Sequence, residues 1–257
     1  MKMNIEVKNV LNLIKSIEYW NGIVPKKEIM EIIDRREEAA PHLISILKKV
    51  LEKPEKFQKD SDYVGHKIAI YLLAQFKCKE AFEYIIKFYS LDENLAFDLL
   101  GYNLTYDESR VLASTYNGEL SLLTNIIENK DVYEVHRNAC IDALKILALQ
   151  AVVDRKKVMD YYKKLMRKSI SKSQSEVECA VFNSLELYPE ELMGEIERLY
   201  SEKKIDENIL FKCSFKQTLE MKKEDVLECY SAQTSNSFIE DILNELIFWQ
   251  EIAGEIY

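Results

Sequence analysis

The segment from Asp131 to Gln150, DVYEVHRNACIDALKILALQ, constrains the fold of this chain more than any other. Asp131 suits the start of a helix, because its carboxylate can accept from the free amides of the first turn, and Glu134 three residues on can reciprocate. Apolar side chains then fall at Val132, Val135, Ala139, Ala143, Ile146 and Leu147, with a second set at Cys140 and Leu144. So wide an apolar arc cannot face water, and a helix of this kind needs neighbours on more than one side.

The rest of the chain supplies helices to cover it. Six glycines and four prolines in 257 residues are too few for a sandwich or barrel, which turns about every ten residues. No strand-period alternation runs over a useful length. Helices are expected at 6–19, 25–38, 41–51, 63–76, 79–90, 93–100, 105–117, 119–129, 131–150, 154–169, 173–188 and 189–203, with a weaker pair within 206–230 and a last one at 237–253. Thr105 with Glu108, Ser173 with Glu176 and Ser237 with Glu240 read as capping boxes. Pro25, Pro41, Pro54 and Pro189 fall where a helix begins or a loop turns, and none demands a kink. A hydrophobic fraction of 47% suffices for a sizeable core.

No apolar run reaches about 18 residues, so no membrane span is expected. Glu6 and Lys8 interrupt the place where a signal peptide would be apolar, and a cytoplasmic location is the expectation.

An internal repeat emerges when 64–76 is laid on 135–147, an offset of 71 residues. Val64 then meets Val135, His66 meets Arg137, Ala69 meets Cys140, Leu73 meets Leu144 and Phe76 meets Leu147. A third copy at 173–188, offset by 41, sets Ala180 on Ala139 and Leu185 on Leu144. Such spacing is similar to that of HEAT-type helix pairs, whose stacking makes one elongated core and a concave face. The expected fold is all-α, an irregular HEAT-like superhelix or solenoid forming one helical-repeat domain over residues 1–257. His66, Asp131 and Arg137 are its candidate structural repeat positions, Asp131 and Arg137 as members of a polar ladder between repeats.

Several stretches carry a further likeness: VPKKEIMEIIDRREEAAPHLISIL at 24–47, GHKIAIYLLAQF at 65–76, LASTYNGELSLLTNIIENKDVYEVHRNACIDAL at 112–144 and LYPEEL at 187–192. Together they resemble the bacterial domain of unknown function family numbered 1186, over about residues 17–249. That resemblance implies a helical fold and no established activity. Some members carry a C-terminal zinc-binding SEC-C motif, and no such cysteine pattern follows Trp249.

Catalytic signatures do not rise above background. His42, His66 and His136 share no ligand spacing, and no phosphate-binding or nucleophile-elbow motif is present. Cys78, Cys140, Cys179, Cys213 and Cys229 are odd in number and widely spaced, so neither a disulfide framework nor a metal clamp is expected. Cys140 and Cys179 lie in apolar helical stretches and read as structural thiols. The run Asp34-Arg35-Arg36-Glu37-Glu38 reads as a salt-bridged face. No metal and no cofactor are expected.

Charge gives the one live functional feature. The chain carries −9, which disfavours a general nucleic-acid binder. Between Arg155 and Lys172, however, eight bases accompany one acid, Asp160, for a local +7, while 173–257 holds 7 bases and 19 acids. In helical register Val158, Tyr161, Tyr162, Leu165 and Met166 form the apolar face of this strip. Lys156, Lys157, Lys163, Lys164, Arg167 and Lys168 point outward as candidate binding residues. The expected function is a protein-interaction or scaffolding platform without catalytic activity of its own. The sequence does not identify its partner; an acidic protein or the acidic end of a second copy is expected, no membrane is expected, and nucleic acid is disfavoured. The alternative is a helical-repeat enzyme or nucleic-acid-processing protein of the HEAT-like glycosylase type.

Overall fold

The computed structural model describes residues 9–168, 174–205 and 211–246. The described chain is all helical; its β pairing is an isolated antiparallel bridge between Tyr19 and Tyr63. The expected helical stretches at 6–8, 169, 206–210 and 247–253 lie outside the described residues, as does Ser173 of the second capping box. The chain divides into two compact units, one drawn from Met1–Asp107, Ser114–Gly118 and Ile239–Tyr257, the other from Glu108–Ala113 and Glu119–Phe238.

The first unit contains α1 (Val10–Ser16), α2 (Lys26–Asp34), α3 (Arg36–Glu52), α4 (Pro54–Gln58), α5 (Gly65–Gln75), α6 (Phe82–Tyr89) and α7 (Glu93–Tyr106). Its centre is α5, in which every residue from Gly65 to Ala74 is buried except half-buried Lys67. Polar groups caught in that centre find partners. Tyr71 donates its hydroxyl to Asp107 Oδ2 at 2.8 Å. The His66 ring lies between Tyr63 and Phe88, nearly parallel to both at centroid distances of 5.8 and 6.0 Å. Its Nε2 sits 2.7 Å from the Leu99 carbonyl; the carbonyl only accepts, so Nε2 carries the proton. Burial pushes this imidazole down to about 4, so it is neutral near pH 7.

Three expected helix signals of this region read differently in the structure. Pro41 lies inside α3 rather than at its start, because the helix begins five residues earlier and the core contacts of Ala39, Leu43 and Leu47 outweigh one missing amide. Thr105 is not a cap; its hydroxyl donates back to the Gly101 carbonyl at 2.9 Å within α7. That helix breaks at Gly101, whose φ of 72° and ψ of 172° are open only to glycine. The last described helix starts at 242 rather than at Ser237, with Asp241 Oδ1 accepting from the Leu243 amide at 2.9 Å. Ile239 and Ile242 give their amides to Ser114 Oγ and Gln75 Oε1 at 2.8 and 3.0 Å, returning this segment to the first unit.

The second unit holds the first turns of α8 (Glu108–Thr115), then α9 (Leu120–Glu128), α10 (Glu134–Leu149), α11 (Arg155–Lys168), α12 (Gln174–Glu186), α13 (Met193–Ser201), α14 (Lys212–Glu220) and α15 (Lys223–Ser231). At its centre α10 is covered by α9, α11, α12 and α15, as its wide apolar arc requires. It begins three residues later than Asp131. The Arg137 guanidinium bonds to the Val132 carbonyl, residues 130–132 turn and Tyr133 alone is extended before the helix; Asp131 and Val135 are exposed.

Contacts between α10 and α12 keep a constant register. Cys179 Sγ lies 3.8 Å from the Asn138 carbonyl, Asn183 Nδ2 donates to Asp142 Oδ1 at 2.7 Å, and Lys145 pairs with Glu186 at 3.1 Å. Each pair is 41 residues apart, so α10 and α12 run parallel. Lys163 with the Glu191 carbonyl at 3.4 Å and Arg167 with Glu195 at 2.6 Å, both 28 apart, set α11 parallel to the segment leading into α13 in the same way.

The packing of α10 makes Ala143 a sensitive position, since its methyl has no exposed surface. Ala143→Gln is expected to destabilise the protein by about 2–4 kcal/mol through overpacking and a buried amide with nothing to bond. Urea unfolding followed by circular dichroism measures this, and an unchanged midpoint would remove α10 from the centre of the unit.

Candidate functional site

Two polar arrangements in the second unit have chemical potential, one enclosed and one open to water. The enclosed one joins the first residue of α8 to α10. Glu108 and His136 are 0% and 1% exposed at the side chain, and Glu108 Oε2 lies 2.7 Å from His136 Nδ1. Burial raises the Glu108 carboxyl above its ordinary range, against the opposing bond from His136. Cys140, one turn along α10, is fully buried and its thiol is pushed up in turn. A thiol so held is no nucleophile, and a pair without surface cannot meet a substrate in this conformation. What the pair does is tie α8 to α10.

Two further basic groups of α10 are matched in the same manner. Arg137 Nε donates to Glu176 Oε1 at 2.6 Å, and Lys130 reaches the same oxygen at 2.7 Å. Burial works to raise the Glu176 carboxyl, but these two bonds outweigh it and hold it below its ordinary value. Lys145 pairs with Glu186, whose Oε2 also accepts from Asn236 at 2.7 Å. Asp142 stands apart: burial raises its carboxyl, opposed by Lys145 and by the Asn183 bond.

The open arrangement is α11. Val158, Met159, Tyr162, Leu165 and Met166 are buried, and Tyr162 gives its hydroxyl to the Ile141 carbonyl of α10 at 2.7 Å. That fixes which way the helix faces. Lys156, Lys157, Lys164, Arg167 and Lys168 are exposed and Lys163 half-buried. Asp160, Lys163, Lys164, Arg167 and Lys168 line an open groove of about 580 Å³. Acids from neighbouring helices already engage it. The two oxygens of Glu128, the last residue of α9, each accept at 3.0 Å, one from Lys164 and the other from Lys168. Glu195 of α13 accepts from Arg167 at 2.6 Å and from Arg198 at 3.2 Å. Lys164, then Lys168, hold the Glu128 carboxyl below its ordinary range, and Arg167 followed by Arg198 does the same for Glu195. Lys156 pairs with Asp160 at 2.6 Å along its own helix. At the start of α11, Arg155 takes Glu191 in a two-pronged bond at 2.6 and 2.9 Å.

Of the residues singled out in sequence, the six basic ones share the α11 surface. His66 and Arg137 are buried, as repeat positions would be, but with unlike partners: a carbonyl for His66 and Glu176 for Arg137. Asp131 is exposed and is not Arg137's carboxylate partner. Arg35 meets Glu38 at 2.7 Å and Arg36 meets Glu37 at 3.3 Å, the salt-bridged face expected of that run. Sequence reasoning missed the Glu108–His136 pair, because Glu108 read as half of a capping box. It also missed Glu128 and Glu195, since a lone glutamate at a helix end has no pattern to announce its partner.

With an all-helical fold and a basic helix face bordered by carboxylates, the structure defines a class without itself naming an activity. The sequence model of the family described as "Protein of unknown function (DUF1186)" matches residues 6–253, and the chain belongs to that family. It is 28% identical over 251 residues to a protein of Chlamydia trachomatis serovar D described as uncharacterized, a match covering 97% of this chain and 98% of the relative. A likewise uncharacterized protein of Chlamydia muridarum is 28% identical over 244 residues, covering 94% of this chain and 97% of the relative. No solved structure matches the chain.

The enclosed pair has a pH signature. A carboxyl whose folded value is raised favours the fold while protonated. That contribution is present below the unfolded value of about 4.5 and is lost as pH rises toward the folded one. Glu108→Gln is therefore expected to flatten the fall in melting temperature above pH 4.5 relative to the original protein. Glu108→Ala, which leaves a cavity and takes the acceptor from His136 Nδ1, is expected to cost about 2–4 kcal/mol at pH 7. Equal melting curves for all three proteins across pH 4–8 would show that the pair bears no part of the stability.

Proposed function

We propose that the protein is an interaction platform whose α11 face docks an acidic protein partner. The observation that supports this reading is the set of six cations on the outward side of one well-anchored helix, four of which (Lys163, Lys164, Arg167 and Lys168) line an open groove, in a chain of net charge −9. A cationic strip set in an acidic surface is selective. It attracts a short acidic segment at close range, while the remainder of the chain, at −16, repels long polyanions such as duplex DNA.

The finer architecture belongs to the same proposal: one irregular HEAT-like solenoid domain over residues 1–257. Its supports are the 71-residue offset that lays α5 on α10, each the central helix of its unit, and the constant 41-residue register from α10 to α12, which equals the sequence offset of the third copy. A cytoplasmic location is also part of this reading, supported by five cysteines that all stand as free thiols. Among the described residues, no helix is long and apolar enough to cross a membrane.

Affinity capture of the tagged protein from its own cells, with and without charge reversal, tests the reading. A variant carrying Lys156→Glu, Lys163→Glu, Arg167→Glu and Lys168→Glu is expected to keep its helical circular dichroism and to lose the captured partner. The original protein should release that partner as salt rises toward 0.1 M and beyond, where the screening length falls to about 10 Å. Capture of the same partners at the same salt by both proteins would reduce α11 to a solvated face. Tight duplex DNA binding that the variant loses would replace the platform with a nucleic-acid function.

A further inference from the structure

The groove on α11 is bordered by two carboxylates that occupy its bases in the free protein. Glu128 places one oxygen on Lys164 and the other on Lys168, residues one helical turn apart, so a single carboxylate spans an i, i+4 pair of ammonium groups. On the other side Arg167 holds Glu195, which Arg198 shares. The Lys164, Arg167 and Lys168 side chains are 53%, 62% and 52% exposed and Glu128 is 39% exposed, while Glu195 is 15% exposed, so the two Glu128 pairs are the more open to solvent. Ion pairs in such settings are weak and exchange readily.

Glu128 closes α9 and is carried on a flexible side chain, so it can swing away without disturbing the backbone. Arg198 keeps Glu195 engaged when Arg167 is taken, and also caps the Met166 carbonyl at 2.9 Å. The groove is thus built so that its own acids can be replaced.

We infer that the α11 groove binds an acidic polypeptide segment by carboxylate exchange. Side chains of the incoming segment take Lys164, Lys168 and Arg167, and Glu128 and Glu195 are the internal competitors they displace. This rests on the platform reading and adds to it the chemistry of the ligand and a threshold for binding. A segment with a single carboxylate gains little, because it trades one ion pair for another. A segment with several closely spaced carboxylates wins, because it satisfies the Lys164 and Lys168 pair and Arg167 together. The internal acids make the groove respond to runs of acidic residues rather than to isolated ones.

The test is fluorescence anisotropy with a labelled decaglutamate peptide at low ionic strength. Glu128→Gln is expected to tighten binding about threefold or more, since neutral glutamine releases both lysines. Glu195→Gln should act in the same direction and serves as the second variant should the first not fold. Glu224→Gln adds the same unit of charge at an exposed site in α15 and is expected to change affinity less than either. Replacing Lys164 and Lys168 together by Met should abolish the gain from Glu128→Gln. Equal affinities for Glu128→Gln, Glu195→Gln and Glu224→Gln overturn the exchange. If instead the original protein, the two unlatched variants and the charge-reversed variant all fail to distinguish the peptide, the platform reading falls as well. Binding lost on charge reversal but unchanged by Glu128→Gln overturns the exchange alone. A labelled single-stranded oligonucleotide bound more tightly than the peptide overturns the choice of an acidic polypeptide as ligand.

Discussion

A helix with so wide an apolar arc must be covered on more than one side, and in this protein that demand is met by making it the centre of its unit. For α10 the cover comes from α9, α11, α12 and α15. Full cover has a consequence for any charged group the central helix carries. Arg137 and Lys145 are each under 10% exposed at the side chain and are met by Glu176 and Glu186, while the His136 ring bonds Glu108 in the same interior. An unmatched charge there would cost several kcal/mol, so these pairs fix which residue of one helix faces which residue of the next. Hydrophobic contact alone would tolerate a slide along α10. The buried pairs do not.

The same register carries outward to the basic face of α11. With α12 locked parallel to α10, and Tyr162 of α11 bonded to the Ile141 carbonyl, the orientation of α11 about its own axis is set from within. Its cations face water because its apolar stripe has no other place to go. A basic helix could be soluble in any orientation; only an anchored one presents Lys164, Arg167 and Lys168 together on one wall of a groove.

How much of this was legible in the sequence depends on the range of the interaction concerned. The all-helical class and most helix positions followed from local periodicity and from sparse glycine and proline. The apolar and basic faces of α11 followed from a repeat of 3.6 residues, which needs no partner to be read. Helix starts were less readable. Asp131 and Thr105 have the chemistry of caps, yet the long-range bonds of Arg137 and Glu108 decided where α10 and α8 begin. Pro41 stayed inside α3 because core contacts on both sides of it outweigh a single lost hydrogen bond. The glutamate partners of α10 and α11 were out of reach, since a pair 28 to 46 residues apart leaves no trace in spacing. The exception is the offset of 41, visible as a faint repeat and realised as side-by-side contacts between α10 and α12.

That exception bears on why the basic surface exists at all. Where two helices touch in constant register, any charge placed on one faces a fixed position on the other that can be tuned independently. Between α10 and α12 the facing positions became buried, with Arg137 and Lys145 met by Glu176 and Glu186 and Asp142 by the Asn183 amide, because desolvation penalises a buried polar group left without a partner. On α11 most of the facing positions lie closer to water, where a mismatch costs less, and Asp160, Glu128, Glu191 and Glu195 meet only part of its bases: among the described residues Lys157 is exposed and forms no ion pair. The surplus is tolerated by the fold and is not needed for it. A cationic side chain that the fold does not need, held in register by contacts that it does need, is the physical ground on which the proposed binding role of α11 rests.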